Sequence, residues 1–172
     1  MRNGILLGSM LNNSETWINL TKKNIEELEK PDKLLRDRLF ESKPSTVFYY
    51  LELGIIPAKY VILKKRLKFL KYIIDEDMNS MIRRVYEEQR KESIKGDFIH
   101  LVKEDLKDLQ IEIEDSDIRK YSKAGWNKFI NEITEKVVLR KLLEENNTKS
   151  KTKYLKYEKL EMRQYLRENR NT

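Results

Sequence analysis

The chain of 172 residues has no cysteine and a single histidine, His100. Disulfides and thiolate metal sites are excluded, and one imidazole supplies no metal cluster. His100 is therefore expected to be structural, and neither metal nor cofactor is expected. Absence of cysteine also fits a reducing compartment without demanding one. Glycine and proline are scarce, five and three. Helices meet few breakers, and phosphate-cradling glycine loops have little material. No stretch approaches the ~18 continuous apolar residues of a membrane helix, so no membrane partner is expected. The apolar run after Met1 is broken early by Gly8, Ser9 and Asn12. It is not read as a signal peptide. Three N-x-S/T triplets, at Asn12, Asn19 and Asn146, are read as chance.

What remains is charge and leucine. Charged residues make up 38% of the chain and hydrophobic ones 39%. With so few breakers, that mixture predicts an all-α protein, an irregular multi-helix bundle. A chain of this size buries ~70% of its unfolded surface. The net charge is +7. Eight Lys or Arg face three Glu in Thr148–Thr172, a balance of +5, which leaves +2 for the rest. Such asymmetry favours nucleic acid or another anionic surface as partner. Residues 1–146 are expected to form the helical domain, and 147–172 a basic, aromatic-containing tail.

The central stretch, 45–77, predicts a helix–turn–helix-like unit. A short helix ends at Gly54, suited to a C-terminal cap, and Pro57 suits the first turn of the next. Along that second helix Leu63, Leu67, Leu70 and Ile74 make one apolar stripe. Lys64, Lys68 and Lys71 fall one residue round, and the segment Pro57–Ile74 holds six Lys or Arg and no acid. A leucine seam and a cationic seam thus run side by side, the second open to a polyanion. Because lysines dominate and only Arg66 is a usual base reader, phosphate tracking without sequence preference is expected. Two helices around such a turn also occur in plain bundles.

On either side the pattern stays helical. Residues 1–20 are ambiguous. Thr21–Phe40 fits one bent helix or two meeting at Lys30–Pro31, and Ser42 or Ser45 can cap the next helix. Met78, Met81, Ile82, Val85 and Tyr86 mark an amphipathic helix. Gly96–Asp97 breaks and caps before Phe98, Leu101, Val102, Leu106 and Leu109. Ile111 and Ile113 alternate with Glu112 and Glu114, a short strand signal. Ser116 is placed to cap a brief helix, and Ser122 a longer one with Trp126, Phe129, Ile130, Ile133, Val137 and Val138 inward. After a polar linker near Asn146–Lys153, Tyr154, Leu155, Tyr157, Leu160 and Tyr165 alternate with cations. That segment either docks on the body or is a flexible basic tail.

No catalytic spacing is visible. Tyr-x-Asp-Asp, G-x-S-x-G and H-E-x-x-H are all absent. The acids at Glu26, Glu27, Glu29 and at Glu112, Glu114, Asp115, Asp117 read as solvated faces and a loop. The chain is expected to be non-catalytic.

Four blocks, GSMLNNSETWINLTKKNIEELEK, YYLELGIIPAKYVILKKRLKFLKYII, KGDFIHLVKEDLKDLQIE and SKTKYLKYEKLEM, resemble the region after the polymerase palm in non-LTR retrotransposon endonuclease–reverse transcriptases. The likeness spans nearly the whole chain. It implies a thumb and helical C-terminal extension, which grips a template–primer duplex by its backbone. The catalytic palm is missing, and Pro31 stands where the family continues a helix with an apolar residue. The resemblance implies a fragment, opening at Met1 within the family pattern, that binds RNA–DNA hybrid or duplex and docks on a palm. Lys59, Lys64, Lys65, Arg66, Lys68 and Lys71 are the expected phosphate contacts, with Lys149, Lys151, Lys153 and Lys156 adding to them. The alternative is a helical protein–protein interaction module with no nucleic-acid role, docking through the apolar faces of the C-terminal segment.

Overall fold

A computed structural model describes residues 10–17, 20–40, 45–92, 94–148 and 157–161. The described residues are all helical, without strands: α1 Lys22–Leu28, α2 Lys30–Leu39, α3 Thr46–Leu53, α4 Ala58–Asp75, α5 Met81–Lys91, α6 Phe98–Asp108, α7 Asp115–Lys120 and α8 Lys123–Asn147. The alternating Ile111–Glu114 stretch is irregular rather than a strand. Four residues with no neighbouring strand cannot satisfy their ladder groups.

Local chemistry sets most of the helix ends. The Ser45 hydroxyl accepts from the Phe48 N–H, and the Asp97 carboxylate from the His100 N–H. Ser80 accepts from the Arg83 N–H and Ser122 from the Gly125 N–H. Each satisfies an orphan donor of a first turn. Gly54 closes α3 in the left-handed region at φ 61°, where a side chain would be strained. Pro57 lies one residue ahead of α4 rather than inside it. Of the two options for Thr21–Phe40 the chain takes two helices, parted at Glu29, with Pro31 in the first turn of α2. There its missing N–H is no loss. Ser116 does not cap α7: Glu114 occupies that position, without a side-chain cap bond. Ser42 lies outside the described residues.

The chain divides into two compact units, and the division falls inside α4 and α8. In the first, built from residues up to Thr21 and Val61–Thr134, the leucine stripe is the core. Leu63, Leu67, Leu70 and Ile74 are all at most 1% exposed. Trp126 of α8 is fully buried and donates its indole N–H to the Leu67 carbonyl at 2.8 Å. The ring also meets Tyr121 edge-on and stacks on Phe129, which fixes its orientation.

The second unit, built from Lys22–Tyr60 and residues from Glu135 onward, centres on α3, where Val47, Tyr49, Tyr50 and Leu51 are buried. Phe40 meets Phe48 and Tyr49 edge-on. The described part of the tail docks here. Tyr157 is buried and its hydroxyl donates to Glu52 at 2.6 Å, so a carboxylate on an apolar helix gains a donor. Helix α8 runs through Asn147, past the expected start of a linker.

No single described helix is long and apolar enough to cross a membrane. Only α3 and α4 taken together reach that length and hydropathy, across the bend between them.

Leu67→Ala is expected to cost ~2–5 kcal/mol by urea titration, the range for emptying a well-packed leucine site. Tyr157→Phe is expected to cost ~1.5–3 kcal/mol, the loss of one hydrogen bond to a carboxylate.

Candidate nucleic-acid interface

Burial on α4 decides which of its cations face solvent. At ~100° per residue, the leucine row is flanked on one side by Ile62, Arg66 and Ile73, all buried. The helix thus hides about half its circumference. The outward arc that remains carries Val61, Lys64, Lys65, Lys68 and Phe69, half-buried, and Tyr72, 48% exposed.

Two expected phosphate contacts fall on the hidden side. Arg66 is 5% exposed, and its guanidinium pairs with Asp105 of α6 at 2.7 Å and donates to the Trp17 carbonyl at 3.2 Å. Lys71 is 3% exposed and paired with Asp75. The expectation that the Lys64–Lys68–Lys71 stripe is one open face is corrected by this. At ~100° per residue Lys71 sits about 20° nearer the leucine row than Lys64, enough to carry it under the margin of the core. Arg66 lies within the buried arc, and its charge is met by an acid from another helix because a bare buried cation is too costly.

The other cations differ among themselves. Lys65 donates to the Leu11 carbonyl, anchoring the segment ahead of α1. Lys68 makes no ion pair among the described residues, and Lys64 lies a turn before it on the same arc. Lys59 is exposed but belongs to the second unit, with its ammonium 5.6 Å from the Tyr60 ring centre. Lys149, Lys151, Lys153 and Lys156 lie outside the described residues.

Tyr72 is the feature the sequence pattern did not single out. Its ring stacks on Phe69 at 5.9 Å with 15° between planes, and Phe69 meets Phe98 edge-on at 5.7 Å. A hydrogen bond from its hydroxyl to Glu76, with that carboxylate's charge, holds the phenol above the usual tyrosine range. The signal was available: Tyr72 stands at i+4 from Lys68 and i+8 from Lys64, on the arc opposite the leucines.

The acids read as solvated are not all so. Asp115 accepts from the Tyr86 hydroxyl at 2.9 Å and pairs with Arg90 at 2.8 Å. Burial first, and then the Asp115 charge, push the Tyr86 phenol far above the ordinary range, so it remains a donor. These groups rim a cleft of about 560 Å³ floored by Leu70, Ile99, Val102 and Ile118. Its charges neutralise one another, so it offers a phosphate little. Helix α5 also departs from expectation. Tyr86 is buried as the pattern expects, but Met81 and Val85, with Met78 just before the helix, are exposed and Arg83 is buried. Arg83 pairs with Glu87 one turn on and lies over the Tyr86 ring at 5.1 Å. Among the described residues no group of three or more His, Asp or Glu is placed to hold a metal ion.

Compared with family models, curated proteins and solved structures, the chain matches none.

Arg66→Ala is expected to destabilise the first unit by ~3–5 kcal/mol, since it removes the cation paired with the buried Asp105. Arg66→Met combined with Asp105→Leu is expected to recover most of that loss. A surface cation would have cost under ~0.5 kcal/mol, so denaturant titration of the two variants separates the assignments.

Proposed function

We propose that the chain is a non-catalytic helical module that binds nucleic acid through its phosphate backbone, as the thumb-like part of a retroelement reverse transcriptase does. The observation that carries this is the outward arc of α4, where Lys64 and Lys68 share one face with no acid until Asp75. Lysine is a strongly hydrated point charge suited to phosphate and poor at discriminating bases. The basic balance of the whole chain supports the same partner. The resemblance to the post-palm region puts an RNA–DNA hybrid or duplex among its nucleic-acid ligands, with the parent palm a second partner and an intracellular site, nuclear or cytoplasmic, the place of action.

A protein-interaction module without a nucleic-acid role is the rival. The exposed Met78, Met81 and Val85 side chains favour it. The two part at heparin: the rival predicts no retention at moderate salt.

For the Lys64→Ala/Lys68→Ala variant, binding to an RNA–DNA hybrid is expected to weaken. The log–log salt slope should flatten by about 1.8, at ~0.9 per phosphate contact. Stability should stay within ~0.5 kcal/mol of the parent. An unchanged slope would remove this face as the contact surface.

A further inference from the structure

Three features of the outward arc of α4 belong together. The first is an aromatic ring at Tyr72, nearly half exposed on a helix that otherwise hides its large apolar groups. The second is that this ring is held. Phe69 supports one face in a near-parallel stack, and Phe98 buttresses Phe69 edge-on. The third is the pair Lys68 and Lys64, one and two turns toward the N-terminus. Aromatic side chains in helices lean toward the N-terminus, which carries the ring toward those lysines and away from the acids behind it.

We propose that Tyr72 is a stacking platform for an unpaired base, so that this face prefers single-stranded nucleic acid to duplex. The proposal rests on the reading of α4 as a phosphate-binding face and specifies the strand it takes. In a duplex both faces of every base are covered by neighbouring pairs, and a ring on a convex helix meets only sugar and phosphate. An unpaired base offers a free face. Sequence preference is then weak, because every base presents one.

Preorganisation strengthens the case. A mobile exposed tyrosine loses rotamer freedom when a base lands on it. Here Phe69 has already restricted the ring, so less is lost on binding. The charges set the direction and extent of the footprint. Asp75 is occupied by Lys71, but Glu76 retains a carboxylate beside the ring. A phosphate is disfavoured there and favoured over Lys68 and Lys64. The backbone therefore runs from the ring toward the start of the outward arc, and the footprint is a few nucleotides long.

Fluorescence anisotropy with labelled oligo(dT) and with a hairpin duplex of equal phosphate number, each across a salt series, tests this. The parent chain should bind the single strand more tightly. Tyr72→Ala should lose about tenfold on oligo(dT), with duplex affinity and salt slope unchanged. Tyr72→Phe should retain binding, because the ring and not the hydroxyl does the stacking. Tyr72→Leu preserves apolar bulk against Phe69 and should lose as much as alanine, which guards against misfolding of the smaller variant. Lys64→Ala/Lys68→Ala should weaken both ligands and flatten both slopes. Equal loss on both ligands for Tyr72→Ala, no loss at all, or parent affinities that do not differ would overturn the stacking platform and leave phosphate binding standing. If the parent bound neither ligand, both would fall together.

Discussion

A helix that hides half its surface leaves its cations few places to go. Helix α4 is 18 residues long and carries six lysines or arginines. Its leucine row alone would bury a narrow strip. Ile62, Arg66 and Ile73 widen that strip on one side, and Lys71 is drawn under its edge on the other. Each cation must then reach an acid, reach a carbonyl or sit on the remaining arc. Arg66 and Lys71 take the first course, Lys65 the second, and Lys68 the third. The surface open to a ligand is what the core leaves over.

The Arg66–Asp105 pair shows what such burial demands. Desolvating both ions costs several kcal/mol, and their attraction repays it only with good geometry and further hydrogen bonds. A 2.7 Å contact and the Trp17 carbonyl supply both, though the guanidinium Nε is left unpartnered. An aliphatic pair could fill the same volume at similar stability. What the ions add is direction. The planar guanidinium joins α4 to α6 and to the segment before α1 along fixed hydrogen-bond vectors, whereas leucines would tolerate slippage between the same elements.

Much of the fold is legible because helix ends and leucine spacing are local properties. Ser45, Gly54, Asp97 and Ser122 each act where the pattern places them. The row from Leu63 to Ile74 is the core it promises to be. The site is less legible because burial of a charge is decided by a residue far along the chain. Nothing near Arg66 announces Asp105, 39 positions on. Likewise Met81 and Val85 look inward by composition but are exposed, while Tyr86 on the buried side reaches Asp115, 29 positions on. Tyr72 was overlooked for the opposite reason: tyrosine fits either face, and only the width of the buried arc assigns it to solvent.

The same pairing logic indicates where a polyanion meets least resistance. Many cations of the described residues already lie beside a carboxylate three or four positions away: Lys30 with Glu27, Lys91 with Glu88, Lys120 with Asp117, Arg83 with Glu87. Each pair is worth only a few tenths of a kcal/mol when exposed. An incoming phosphate must still displace the acid or bind beside it, and the acid repels the strand as it approaches. On α4 the sequence holds no acid before Asp75, so no intrahelical partner competes at Lys68. The absence of glutamate from that stretch therefore matters as much as the presence of lysine. It makes Lys68 the place on this helix where a phosphate gains a contact without displacing an acid of the same helix.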